Sequence, residues 1–261
     1  MTSNNEKSHF DEHSNQLSET QVDRGLRAVI KDGIMSHLMD TFTGGVFLTG
    51  LALKLGATNA QIGLLAAILP LSQVFQIPAI LMIDKAGSRK KVTITATILS
   101  RLAWLLVAAS PFFLTPAQSL WVLICAVLLF NIAQSIGGCA WTSWLRDLIP
   151  EGRLGRFFSL RSRISILLGL CVSLPASRML DNWQQHSDFQ LGGYSLLFAA
   201  GFVAGMTGIW FISRVPDISM KARRTDLLTH LKMPFRDRNY RKLISFLGVW
   251  NFAVNLAVPF F

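Results

Sequence analysis

Apolar runs of about 20 residues alternate along this chain with short polar stretches, and that rhythm predicts helices able to cross a bilayer. Six complete segments are expected at about 33–55, 62–83, 92–114, 120–145, 164–180 and 194–213, with a seventh running from about Leu243 to Phe261. A helix rises about 1.5 Å per residue, so about 20 residues match a hydrocarbon core about 30 Å thick. The fifth segment is short by that measure and is expected to extend into its flanks. No segment alternates with a period of two, as the strands of an outer-membrane barrel would.

Composition agrees with the pattern. Of the 261 residues 51% are hydrophobic and only 15% charged, against about 25% charged in an ordinary soluble domain. The mean hydropathy is +0.41. The net charge of +10 would suggest nucleic acid in a soluble chain, but its distribution points elsewhere. All of the 25 Lys and Arg except Lys54, Arg101 and Arg178 lie in the first 32 residues or in the connections after the second, fourth and sixth segments. The connections 56–61, 115–119 and 181–193 carry none. The positive-inside rule then places the N-terminus in the cytoplasm and removes the need for a nucleic-acid partner. Residues 1–32 are polar and mixed in charge, without the apolar stretch and cleavage site of a signal peptide. They are expected to form a disordered cytoplasmic tail, ending in a short interfacial helix around 21–31. Cys125, Cys139 and Cys171 are odd in number and sit in apolar runs, so they suggest buried thiols and no metal site.

The connection between the second and third segments reads Asp84-Lys85-Ala86-Gly87-Ser88-Arg89-Lys90-Lys91. Gly87 permits a tight turn, and the cations hold that turn on one side of the bilayer. Asp84 is an acid among cations at a membrane boundary; taken alone it is a solvated turn acid. The motif resembles the signature of the major facilitator superfamily, G-x-x-x-D-R/K-x-G-R-R/K-x-R/K. Asp84, Lys85, Gly87 and Lys91 match in spacing, with Arg89 or Lys90 serving as the neighbouring cation. Ile80 stands where the leading Gly is usual and Ser88 where an Arg is usual. The resemblance extends to the six-span half, the Leu55-Gly56-Ala57 turn with Gln61-Ile62-Gly63 and the long basic loop after span six. It implies an all-α integral membrane protein: a six-helix N-terminal bundle (33–213), a basic cytoplasmic central loop (214–242) and the start of a seventh helix (243–261), cut short within it. It also implies that Asp84 acts as a latch in one access state, with Arg146 and Arg156 as partners.

Ionisable groups inside a span are costly and mark functional candidates. Asp40 lies about 10 Å inside the first span, with His37 three residues earlier on the same face. The pair is a candidate for binding and releasing a proton; the alternative is a boundary pair wetted from the cytoplasm. Arg101 is about 14 Å deep in the third span and needs a counter-charge, for which Asp40 is the acid at matching depth. In the fourth span Asn131 and Gln134 share a helix face with Ser135. They are candidates for solute binding, with interhelical bonding as the alternative. Proton-coupled members of the resembled family carry Arg-x-x-Gln-Gly here, where this chain has Asn131 and Ser135 in place of Arg and Gly. Span five holds Pro175 but no Gly-Pro-x-x-Gly-Gly pattern.

The remaining signals are structural. Gly201-x-x-x-Gly205 and Gly137-Gly138 allow close helix approach. Trp104, Trp121, Trp141, Trp144 and Trp210 are mostly assigned to the membrane interfaces, and Arg178 to the far end of span five with its charge reaching outward. There is no P-loop, no G-x-S-x-G elbow and no paired zinc motif. The resulting expectation is a non-enzymatic secondary transporter without cofactor or metal. It moves a small solute by alternating access, coupled to protons or another ion, in a bacterial inner membrane. The competing expectation is a sensor or assembly factor on the same fold.

Overall fold

The computed structural model describes residues 19–149, 154–217 and 237–257. Two compact units divide the chain, Met1–Met220 and Lys221–Phe261. Every regular element among the described residues is helical. In the first unit these are α1 (Glu19–Thr43), α2 (Gly45–Lys54), α3 (Asn59–Ser72), α4 (Gln76–Ala86), α5 (Arg89–Phe113), α6 (Pro116–Leu148), α7 (Leu154–His186) and α8 (Leu191–Ile212). Five stretches, 59–86, 89–113, 116–148, 155–186 and 191–212, are long and apolar enough to cross a membrane. They are the expected second to sixth spans.

The first span departs from its expected form in two ways. Its helix starts at Glu19, so the helix expected around 21–31 is not a separate element but the opening turns of α1; residues 1–18 lie outside the described ones. The helix then breaks between α1 and α2. Gly45 takes φ +50°, and a Cβ on Gly44 would fall 2.7 Å from the Asp40 carbonyl oxygen, so only glycine fits that break. The second span is also interrupted, by a 3₁₀ turn at Gln73–Phe75 between α3 and α4. Pro78 in the first turn of α4 has no N–H to return to residue 74, which is where the α-helical ladder gives way.

The ends are set by local chemistry. Thr58 and Thr115 each form a capping box, with Gln61 and Gln118. Pro116 occupies the first turn of α6, where its missing N–H costs nothing. The fifth span is far longer than 164–180. As α7 it takes in Arg161 and Arg163, which hydropathy had left in a connection, while Arg178 is exposed toward its far end. Most of the connection 150–156 and of the central loop 214–242 lies outside the described residues. In the second unit α9 (Arg238–Ala257) starts earlier than Leu243, with Asp237 Oδ1 accepting from the Asn239 N–H at 2.8 Å. Phe246 and Trp250 stack along it, ring centroids 6.4 Å apart.

Packing in the first unit follows the small residues. α1 lies against α7 and α8, α5 against α6 and α8, and α3 and α4 against α6. Cβ atoms on Gly201 and Gly205 would fall 2.6 Å from Thr43 Cγ2 and 2.7 Å from Met39 Sδ, so α8 approaches α1 as closely as backbones allow. One on Gly137 would sit 3.1 Å from Ala96 Cβ, while one on Gly138 would meet nothing. The core joins Leu51, Leu123 and Phe198 around Trp104, whose ring lies 4.8 Å from Phe130 and 5.6 Å from Phe198. Trp104 and Trp144 are therefore core residues, contrary to their interfacial assignment; Trp121 and Trp210 are exposed as expected. Many large apolar side chains point outward, among them Leu106, Phe113, Leu167 and Val203. Such a surface is unfavourable in water and matched to lipid tails.

Candidate functional site

At one end of the bundle the basic turn closes on its own half. Gly87 ends α4 in the left-handed conformation (φ +63°) and returns its N–H to Ile83 O. Ser88, at the position where the family signature has Arg, caps α5: its Oγ accepts from the Lys91 N–H at 3.1 Å. The same hydroxyl donates to Asp217 Oδ2 at 2.7 Å, Lys90 Nζ donates to Val215 O at 2.7 Å, and Trp144 Nε1 donates to Pro216 O at 3.1 Å. Arg89 pairs with Asp147 at the end of α6. The exit from α8 is thus strapped across the ends of α1, α5 and α6, over a core of Val29, Trp144, Leu145, Leu148, Ile212 and Val215. Asp84, Lys85 and Lys91 stay exposed. Asp84 pairs with neither Arg146 nor Arg156. The carboxylate that answers the turn's arginine is Asp147, which the sequence did not single out.

Deeper in the bundle, charge gathers around α1. Arg101 is 3% exposed and reaches from α5 between α1 and α8. Its Nη1 donates to Gly205 O, and its Nη2 to Ser36 Oγ at 2.8 Å. Ser36 in turn donates to Asp32 Oδ1 at 3.4 Å. Gly208 leaves room for both charges: a Cβ there would lie 2.9 Å from Asp32 Oδ1 and 3.1 Å from Arg101 Nη1. The buried counter-charge of Arg101 is therefore Asp32, at 5% exposure and relayed through a serine. Asp40, the partner expected from depth alone, makes no ion pair with it and is exposed on the bundle. Sequence reading passed over Asp32 because the first span was begun one residue after it.

Arg161 of α7 was also passed over. Its guanidinium lies over the Trp141 ring of α6, 5.0 Å from the centroid, and a Cβ on Gly33 of α1 would fall 2.5 Å from its Nε. The Arg161 Nε is buried and without a hydrogen-bond partner. His37 and Thr41 face α7 one step away, with His37 Nε2 2.9 Å from where a Cβ of Gly169 would be. Both Arg101 and Arg161 act electrostatically on Asp32 and Asp40. On α6, Asn131, Gln134, Gly138 and Trp141 recur at helix-face spacing. All are half-buried, and Asn131 is turned back onto Val127 O at 2.8 Å. Arg161 thus bridges Gly33 of α1 and Trp141 of α6; His37 and Asp40 lie further along α1, and Gln134 and Asn131 further along α6. Among the described residues no group of three or more His, Cys, Asp or Glu is placed to hold a metal.

A family model described as Major Facilitator Superfamily matches residues 33–261. No curated protein and no solved structure matches the chain.

Proposed function

Since the chain belongs to the Major Facilitator Superfamily, a family of transporters carried by membrane-spanning helices, we propose that it is a secondary transporter that moves a small solute by alternating access, driven by an ion gradient through Asp40. The observation that carries the reading is the division of labour between the two acids of α1. Asp32 is buried and engaged through Ser36 with Arg101, whereas Asp40 is exposed and unpaired two turns further along the same helix. A carboxylate already tied to a buried arginine cannot exchange a proton or cation without breaking the bundle. An exposed one can.

One side of the solute site is assigned to α1 and α6, with His37 and Asp40 on the first and Asn131 and Gln134 on the second. The turn Asp84–Lys91 works as the gate at the end of this half. Its bonds to Val215, Asp217 and Asp147 hold the turn in place, and Asp84, Lys85 and Lys91 remain exposed. The distribution of Lys and Arg supports a cytoplasmic N-terminus, and a bacterial inner membrane is the setting proposed for it.

The test is solute flux by the complete gene product in proteoliposomes, with and without a proton gradient. Asp40→Asn is expected to abolish gradient-driven accumulation while sparing exchange. Unchanged accumulation in that variant would remove Asp40 from the mechanism.

A further inference from the structure

We propose that Arg161 is the solute-recognition cation of this half, and that the transported solute is a small anion bearing a carboxylate or phosphate. The inference rests on the transporter reading above and specifies what its site accepts. Three observations carry it. First, the guanidinium is placed by surroundings that contribute no compensating bond: it rests on the Trp141 face and passes the α1 backbone at Gly33, where any side chain would block it. Second, Arg161 makes no hydrogen bond and no ion pair among the described residues, and its Nε is buried unpartnered. The other deep arginine, Arg101, also has an unpartnered Nε, but its Nη1 and Nη2 donate to Gly205 O and Ser36 Oγ, and Ser36 leads on to Asp32. Third, Arg161 of α7 meets both α1, at Gly33, and α6, at Trp141, and so sits between helices rather than in the lipid-facing surface.

A guanidinium stacked on an indole keeps its planar edge of N–H donors free. That edge matches a carboxylate or phosphate in two-pronged fashion, which a lysine cannot reproduce. Leaving the buried Nε unmet is costly, and an anion bound across Nε and an Nη removes the cost. The charged or titratable groups that face Asp40 are Asp32 and His37 on α1, Arg101 on α5 and Arg161 on α7; α8 meets α1 there with Gly201 and Gly205. Arg101 is engaged by Ser36 and acts on both Asp32 and Asp40, whereas Arg161 has no partner, so an arriving anion at Arg161 competes there with ionised Asp40. A proton on Asp40 removes the competitor. Anion and proton therefore assist one another's binding, and the linkage is reciprocal. This is the coupling a proton–anion symporter needs.

The experiment measures the melting temperature of the complete gene product in phosphatidylcholine nanodiscs. The probes are inorganic phosphate, succinate and glycerol 3-phosphate, with glucose and choline as neutral and cationic controls. At least one anion should stabilise saturably and neither control should. Arg161→Gln should weaken the apparent affinity by about 10- to 100-fold, with Arg161→Lys in between. Gly33→Ala keeps the charge but displaces the guanidinium, so it should weaken the anion effect even if Arg161→Gln fails to fold. Exposed Arg163→Gln should change nothing. Affinity should fall as pH rises in the parent protein and lose that dependence in Asp40→Asn, which still binds. Anion stabilisation undiminished by both Arg161→Gln and Gly33→Ala overturns the proposal, as does Arg161-dependent stabilisation by choline or glucose. An Arg161-dependent effect seen only with phosphatidylglycerol in the nanodisc assigns the site to a lipid headgroup and equally overturns it. If Asp40→Asn leaves accumulation intact while anion binding still needs Arg161, the coupling reading has failed and this one stands.

Discussion

Removing either end of the Arg101–Ser36–Asp32 relay should destabilise the bundle more than any other single change of charge in it. Arg101 and Asp32 are 3% and 5% exposed, so Asp32→Asn or Arg101→Gln leaves the remaining charge in a place that water does not reach. Breaking a buried pair in this way costs about 3–5 kcal/mol. For a bundle of this size, at about 2–4 °C per kcal/mol, that is a fall of roughly 6–20 °C in melting temperature. The double variant Asp32→Asn/Arg101→Gln removes both charges together and should recover about 1–3 kcal/mol of the summed loss. Asp40→Asn combined with Arg101→Gln should couple less strongly, because Asp40 is exposed and no serine relay joins it to the arginine, although the field of Arg101 reaches it. The assay is thermal unfolding of detergent-solubilised protein followed by fluorescence-detected size exclusion, for the singles and both doubles. If Arg101→Gln couples more strongly to Asp40→Asn than to Asp32→Asn, the assignment of Asp32 as counter-charge is wrong, and with it the freedom claimed for Asp40.

Two further outcomes check the packing and the topology. Gly201→Ala places a methyl 2.6 Å from Thr43 Cγ2 and should cost about 1–3 kcal/mol; Gly138→Ala meets nothing within 4 Å and should be neutral or stabilising by up to about 1 kcal/mol, both read by the same unfolding assay. With Cys125, Cys139 and Cys171 replaced by Ser, a cysteine at exposed Ala117 should react with an impermeant maleimide in intact cells, and one at exposed Ala86 only after permeabilisation. The reverse labelling would invert the proposed orientation.

Hydropathy alone located five of the helices that cross the apolar layer, because burying twenty-odd backbone amides in lipid leaves a helix as the one local solution. It also located the tight turn at Gly87, since a φ of +63° is a property of one residue. The small-residue spacing at Gly201 and Gly205 announced a close helix contact, though not that the contact would be with α1. What sequence could not decide is which charge answers which. Depth along two separate helices made Asp40 the natural partner of Arg101. The rotation of α1 against α5 and α8 turns Asp32 and Ser36 inward and Asp40 outward. Arg161 counted as one more cation in a connection until α7 was seen to extend past it and lay its guanidinium on Trp141. Solvation of the main chain is settled within each segment, so the order of spans could be read along the chain. The pairing of buried charges depends on how neighbouring helices are turned about their axes, and only their mutual packing sets that angle.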